Sequence, residues 1–443
     1  MGIINALSVP FQEAVDEHLE KITDNVMDIT CTFFSAESDY KFVADYINGL
    51  AIVRNFTGSY TDLINLTVDF RPNEYVELVK NIKDLRCELV LKHYDTNTQE
   101  VGEVIKTIDQ RAIIKNREDI LKKFPKGVFT PDETFTANEE HQSSRLAIEF
   151  DLIDNAIYLA RKQRLHFILR KATVAETIKT IHNLYGFEKI YIVPPDNTEV
   201  YTNMIIPPMM SIGNIFKWLQ HSDAYGVYEL GLSYYYTEKT LYVYPLFDPS
   251  PVITDGVVNI YDVGLNLYTG LHGYHTVDGK DTHVISNTGS TTIAQRDTRL
   301  ENEGNSFVNL RPMELTDNWV DVQSEHFFFL HQNVEQINQY SIDGISDEIY
   351  TPTFVSTENS YRLKAELASA TIDTVTLGWA HATPFTFFPG GRVAYHYEND
   401  KGEYTKVNAV CTEVSHRISP SKTLSKKVYV NEAMFTLLLA NES

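Results

Sequence analysis

Cysteine is nearly absent: this chain of 443 residues has three, Cys31, Cys87 and Cys411, and no Cys-x-x-Cys pair. A disulfide framework and a structural zinc site are therefore excluded as organising devices. Assembly inside a reducing cell fits best, with a Cys31–Cys87 pairing left open. Positive charge is also scarce. Lysine and arginine number 38 against 60 acidic residues, a formal net charge of −22. Such a surface repels a phosphate backbone and an anionic bilayer, which argues against specific nucleic-acid binding and membrane insertion. No run approaches the roughly 18 apolar residues of a membrane span. Met1–Pro10 lacks a basic region ahead of the charged stretch Glu13–Lys21, so the expectation is a protein made without export. Nucleophile and phosphate motifs are missing too: there is no Gly-x-Ser-x-Gly elbow, no Gly-x-Gly-x-x-Gly and no phosphate loop.

What the chain holds in quantity is aromatic side chains. They make up 12% of the residues, which favours strands and large contact surfaces. Apolar residues at 43% and charged residues at 22% are ordinary for a folded globular chain. At roughly 150 residues per domain, the length points to about three domains.

Phe11, Val15, Leu19, Ile22 and Val26 recur at helical spacing and predict an opening amphipathic helix. Ile29, Cys31 and Phe33 then alternate with threonines, and Leu66, Val68 and Phe70 alternate within Leu63–Phe70, which is strand periodicity. Pro72 ends that strand, Asn73 caps a short helix reaching Leu85, and Glu88–Tyr94 returns as a strand. Residues 1–105 are thus expected to form a small β-barrel with one packed helix. Residues 106–145 read as a helix over Arg111–Phe124 and a polar connector. Strand character resumes at Leu146–Asp151 and Arg164–Arg170, and residues 146–171 are expected to open a second barrel. An α/β insertion follows over 172–250. It holds a helix at Val174–Tyr185 stopped by Gly186, another at Ile212–Ser222, and a hairpin with Tyr234, Tyr236, Tyr242 and Tyr244 as expected cross-strand partners. Residues 251–443 supply the second barrel, with an inserted segment around 286–360. Gly391–Tyr397 is expected to pair with Tyr404–Ser415, and Lys426–Val430 with Phe435–Leu439.

Chemistry-bearing residues have bland readings that outweigh the sharp ones. Glu139–His141 sits in a polar connector, and Glu325–His326 reads as a strand edge. His272 and His275 are three apart in a glycine-rich loop, where the sequence positions no third metal ligand. Asp278–Asp281 is a turn without the 12-residue calcium-loop pattern. Gly390–Arg392 reads as a turn entering a strand. No catalytic, cofactor or metal site is expected. The competing reading is a carbohydrate-active enzyme or sugar-binding module built on a carboxylate pair and tyrosine platforms.

Three stretches together resemble the central baseplate hub proteins of bacteriophage tails, relatives of the hub part of type VI secretion spikes. They are the order Leu63–Phe70, Asn73–Leu85, Cys87–His93; then Lys171–Ile181 and Ile212–Ser222 before Leu241–Pro245; and finally Phe388–Val393, Val410–His416 and the last two strands. Residues 307–360 depart from that pattern and read as a decoration. The resemblance implies a β-dominated α+β fold of two tail-tube-type barrels with an α/β insertion, three copies forming a pseudo-sixfold ring. It implies a structural hub that adapts a sixfold tail tube to a threefold spike, lines the DNA channel and performs no catalysis. The implied partners are a homotrimer's other copies, tube or tube-adaptor proteins, a central spike, and the tape measure and baseplate wedge. The implied location is the virion, after assembly in the host cytoplasm. Another tail or baseplate component is the neighbouring alternative. On the hub reading, the outward-alternating Asp69, Glu88 and Glu413 are the expected channel-lining residues. Val428, Val430, Phe435, Leu437 and Leu439 are the expected assembly surface, read as one apolar face.

Overall fold

The computed structural model describes residues 8–19, 26–35, 37–57, 59–80, 82–115, 146–222, 224–248, 253, 255–263, 274–286, 289–292, 305–307, 319–321, 327–329, 338–340, 359–362, 364–365, 373–399, 401–421 and 428–439. Its first seven strands are β1 (Val26–Ser35), β2 (Lys41–Val43), β3 (Ile47–Asn55), β4 (Leu63–Phe70), β5 (Leu85–Tyr94), β6 (Val101–Ile114) and β7 (Leu146–Ile153). All but β2, which pairs only with β1, combine with the two last strands of the chain, β23 (Tyr404–Pro420) and β24 (Val428–Leu439). The hydrogen-bonded order β23-β3-β4-β7-β6-β5-β1-β24 returns to β23, closing an antiparallel barrel. Period-two alternation drives this arrangement: Ile64, Leu66, Val68 and Phe70 of β4 point inward and are buried, while Asn65, Thr67 and Asp69 point outward. The interior is filled by side chains. The rings of Phe33, Phe70 and Phe150 pack with centroids 4.7–5.8 Å apart. Helix α2 (Pro72–Lys80) buries Tyr75 and Leu78 against that core.

Two expectations are corrected here. Arg111–Ile114 finishes β6 and is not the start of a helix; residues 116–124 lie outside the described residues. Leu146–Ile153 does not open the second barrel but closes the first, between β4 and β6. Alternation fixes which face a strand buries, but not which strand lies beside it. The first barrel is consequently not contiguous in sequence.

The second β unit comprises β13 (Val257–Asp262), β14 (Tyr274–Asp278), β15 (Asp281–Ser286), β16 (Gly289–Thr292), β21 (Asp373–Ala380) and β22 (Arg392–Glu398), joined through the same β23 and β24. Their order is β14-β15-β13-β22-β23-β24-β21-β16. Ser286 Oγ donates to the Gly378 carbonyl at 2.7 Å, tying β15 to β21 and drawing the sheet round on itself. Trp379, Phe387, Phe435 and Leu437 lie in its core. The expected pairing of Gly391–Tyr397 with the strand from Tyr404 is present, as β22 against β23. The expected strand pair at the C-terminus is instead one strand, β24, whose halves serve different β units: Val428–Val430 pair with β1 of the barrel and Glu432–Leu439 with β21 of the second unit. A register shift between Cys411 and Glu413 marks the hand-over on β23. The short strands β17 (Asn305–Phe307), β18 (Trp319–Asp321), β19 (Phe327–Phe329) and β20 (Asn338–Tyr340) pair among themselves. Helix α1 (Val9–Leu19) seats on the second unit by stacking Phe11 on Tyr404 and His18 on His283, with centroids at 5.2 and 3.7 Å. It is described to Leu19; Ile22 lies outside the described residues, and Val26, expected to continue the helix, begins β1.

The insertion between the barrels begins at α3 (Asn155–Lys162) and continues through β8 (Leu165–Ala172), α4 (Val174–Tyr185), β9 (Lys189–Ile192), β10 (Tyr201–Met210), α5 (Ile212–His221), β11 (Leu232–Thr237) and β12 (Thr240–Pro245). Residues 165–172 thus belong to the insertion, because β8 pairs with β10 and with neither barrel. Helix α4 forms where the sequence predicts it. Thr173 and Glu176 make a reciprocal capping box, and Gly186 ends the helix in the left-handed region at φ 72°. The hairpin register differs from expectation. Glu238 and Lys239 form a two-residue turn with φ 51° and 63°, so Tyr235 faces Tyr242 while Tyr234 and Tyr236 face Val243 and Leu241.

Because β24 belongs to both the closed barrel and the second β unit, a chain ending at Pro420 loses the partner of β1, β21 and β23 together. Burial of each of Phe435 and Leu437 is worth about 1.5–3 kcal/mol, and three strand edges are opened as well. Such a chain is expected to be insoluble when expressed, with no folded fraction in gel filtration. A soluble, folded product would contradict the shared-strand topology.

Candidate functional site

The three parts of the chain meet at one buried charge. On β3, Leu50, Ile52 and Arg54 occupy the core-facing positions, and Arg54 is 1% exposed. Its Nε donates to Asp62 Oδ1 at 2.9 Å, and its Nη1 donates to the Phe387 carbonyl. Tyr235 OH donates to the same Asp62 oxygen at 2.9 Å, and Thr237 Oγ1 donates to the other at 3.0 Å. The rings of Phe385, Phe56 and Tyr235 surround the guanidinium at 5.1, 5.4 and 6.0 Å. First barrel, insertion and second barrel each contribute a partner. Burial pulls the Arg54 pKa down, but the Asp62 carboxylate and Tyr235 outweigh it, and the guanidinium is held more firmly charged than usual. Burial next to Asp62 pushes the Tyr235 hydroxyl well up. The same seam is sewn by backbone: Tyr236 N–H donates to the Tyr60 carbonyl at 2.8 Å. Sequence reasoning passed over this pair. The signal was an arginine at a core-parity position, between Ile52 and Phe56.

Beside the junction opens a cleft of about 410 Å³, lined by Ile105, Lys106, Val257, Phe385, Phe388 and Arg392 among others. Lys106 is tied to Glu238 across it. Its pKa is lowered by burial and then by Arg54 nearby. His416 on β23 lies opposite Ile52 of β3 and takes the amide of Asn431 at 3.1 Å. Burial holds it down to about 3, and His396 on β22 is held down to about 4 by burial and Lys406.

The three expected channel-lining carboxylates are half-exposed on outer strand faces, as alternation places them. They are not brought together. Asp69 on β4 accepts from Asn48 Nδ2 at 2.5 Å, and Glu413 on β23 accepts from Asn55 Nδ2 at 3.0 Å. Those two contacts lie at opposite ends of β3, seven residues or roughly 23 Å apart at strand rise. Glu88 on β5 stands three strands from either one round the barrel. The three thus lie on different parts of the barrel's outer surface.

The expected assembly face is also divided. Phe435 and Leu437 are buried in the core of their own chain, together with Tyr429 and Ala433 on the odd-numbered face. Val428 and Val430 have the other parity, and Val428 is buried with Val26 and Tyr94. One uninterrupted strand cannot put 428 and 435 on the same side. Phe435, Leu437 and Val428 therefore hold the monomer together; Val430 and Leu439 are partly exposed.

Cys31 and Cys87 are free thiols on neighbouring strands with Sγ atoms 3.6 Å apart, and Cys411 is free and buried. Gly390 is a turn residue at φ 63°, where a Cβ would meet Ile253 and Tyr244. Glu139–His141, His272 and Glu325–His326 lie outside the described residues. Among the described residues, no cluster of three or more metal-ligating side chains is present.

A family model described as Bacteriophage PBS1 gene 109 protein matches residues 17–263, more than half of the chain. No curated protein matches. Among solved structures, the tail protein from Neisseria meningitidis MC58 aligns with a TM-score of 0.47 at 11% identity, covering 93% of this chain and 97% of its own. The 43 kDa tail protein of prophage MuSo2 from Shewanella oneidensis gives 0.45 at 8% identity, covering 92% and 97%. A component of the type VI secretion system of E. coli gives 0.42 at 9% identity, covering 93% and 77%. These names fall in the class that the sequence resembles, phage tail proteins and type VI spike components.

The buried histidines set a pH dependence. His416 and His396 are neutral in the folded chain at pH 5, whereas in the unfolded chain they take up protons below their usual 6.5. The unfolded state then binds more protons, so their contribution is complete above pH 6.5 and is lost as pH falls towards 4. The urea midpoint is expected to drop between pH 7 and pH 5, with a shallower drop in His416→Gln. A midpoint independent of pH over that range would contradict the assignment.

Proposed function

The chain belongs to the bacteriophage PBS1 gene 109 protein family, and on that premise we propose that it is the structural hub of a phage tail baseplate. Three copies form a ring in which each contributes two barrels. Six barrel units then face a sixfold tail tube or tube-adaptor protein, while the threefold repeat of the chain faces a central spike. The tape measure and baseplate wedge are the further neighbours on this reading. The hub works in the virion after assembly in the host cytoplasm, needs no cofactor and catalyses nothing.

The observation that carries the reading is the sharing of β23 and β24 by two β units. Strands common to both fix the two barrels at one spacing and angle. A threefold assembly needs such a rigid internal repeat to imitate sixfold symmetry. Both barrel interiors are packed with side chains, so a channel runs between copies, along outer strand faces. A net charge of −22 suits a wall past which DNA slides without phosphate contacts. Asp69 and Glu413 on one flank, or Glu88 on the other, are the channel residues this geometry allows.

Imaging of the purified protein by electron microscopy, with native mass alongside, tests the proposal. A three-chain ring with six barrel densities around an open axis is expected. A compact monomer at all concentrations, or a closed dimer, would contradict it.

A further inference from the structure

The insertion carries a surface unlike the rest of the molecule. Strands β8 and β10 form a two-stranded ribbon in which, among the described residues, each strand pairs with the other alone, and the outward N–H of Ile205 on β10 donates to the Tyr225 hydroxyl at 3.0 Å. One face is buried against the insertion core through Met204 and Ile206. On the opposite face Ile168 stands directly across from Ile205, 61% and 47% exposed, and Met209 projects from the bulge beyond them at 76%. Arg170, across from Asn203, continues that face. A two-stranded ribbon is marginal by itself, and its exposed aliphatic face of Ile168, Ile205 and Met209 is a contact surface.

Charge identifies what it contacts. Between Asp154 and Glu176 the sequence has Arg161, Lys162, Arg164, Arg170 and Lys171 and no acidic residue, in a chain of net charge −22. Among the described residues, ion pairs engage other cations, but none of these five. Arg161 donates to Tyr60 OH at 2.7 Å, and Lys162 lies over the Tyr158 ring at 4.2 Å. Two copies of so acidic a chain repel each other over most orientations. Arg170 and Lys171 on β8, with Arg161, Lys162 and Arg164 just ahead of it, turned to an acidic flank of the next copy remove that repulsion and cover Ile168 and Ile205 at once.

We infer that the β8–β10 ribbon is the docking surface for an acidic face of a second copy of this chain. The contact is head-to-tail, basic patch to acidic patch, the kind that closes a ring when its rotation allows. This rests on the reading of the chain as a self-assembling hub and names the surface that reading lacks.

Carbodiimide crosslinking of a mixture of unlabelled and ¹⁵N-labelled full-length protein tests it, because zero-length bonds form only between touching amines and carboxylates. Mixed-isotope crosslinks from Lys162 or Lys171 to Asp or Glu are expected. They should fall at least tenfold in Ile168→Asp and in 0.5 M salt, while circular dichroism stays unchanged. Crosslinks from these lysines within one isotope only would overturn the inference, as would binding of DNA oligonucleotides by the ribbon in place of a second copy. Should Ile168→Asp fail to fold, Arg170→Glu/Lys171→Glu serves with sedimentation as the readout, and an undiminished oligomer would overturn it. A ring seen in images in which Lys162 and Lys171 make no mixed crosslinks removes only this surface. Mixed crosslinks without a ring would leave the surface and remove the hub.

Discussion

A guanidinium buried in an apolar environment is tolerable only with its charge matched, and Arg54 has that match from a single carboxylate, Asp62. The pair is more than local because both groups take further hydrogen bonds from elsewhere in the chain. Asp62 takes hydroxyls from β11 of the insertion, and Arg54 gives its second bond to the segment before β22. None of the three parts can shift without stranding a buried donor or acceptor. The long strands β23 and β24 do for the two barrels what this node does for all three parts. They make the relative placement of the units a matter of covalent and hydrogen-bonded backbone instead of a flexible linker.

The faces of the elements were legible in the sequence and their neighbours were not. Leu63–Phe70 emerged with its expected ends because alternating apolar residues bounded by Pro72 leave little choice. Helix α4 emerged because Thr173, Glu176 and Gly186 supply both caps. The closing of the first barrel by β7, β23 and β24 was not legible, since strand partners tens to hundreds of residues apart leave no trace in a period-two pattern. Nor was the unbroken β24, whose middle, Asn431–Met434, looks like a turn but is a strand. Its Asn431 is buried with an amide donating to the Ala382 carbonyl at 2.7 Å. The hairpin register was missed because its turn places Glu238 and Lys239, neither of them glycine or asparagine, at positive φ.

The site fared in the same way. Alternation correctly put Asp69, Glu88 and Glu413 on outer faces, but strand order scatters them round the barrel. Apolar residues near the C-terminus read as a surface because hydrophobicity alone cannot distinguish a chain's own core from an interface; Phe435 and Leu437 are core. The basic run from Arg161 to Lys171 was visible in the sequence. It gained meaning only when β8 and β10 were seen to share an open, aliphatic outer face.

The claim on which the account depends is that Arg54 and Asp62 couple the two barrels and the insertion into one body. Hydrogen exchange of Asp62→Ala against the natural sequence tests it most directly. Removing one partner of a buried pair costs about 3–5 kcal/mol, and the account predicts that amides of β3, β11 and residues 385–391 lose protection together. Loss confined to β3 and its neighbouring turn, with β11 and the second barrel as protected as before, would contradict it.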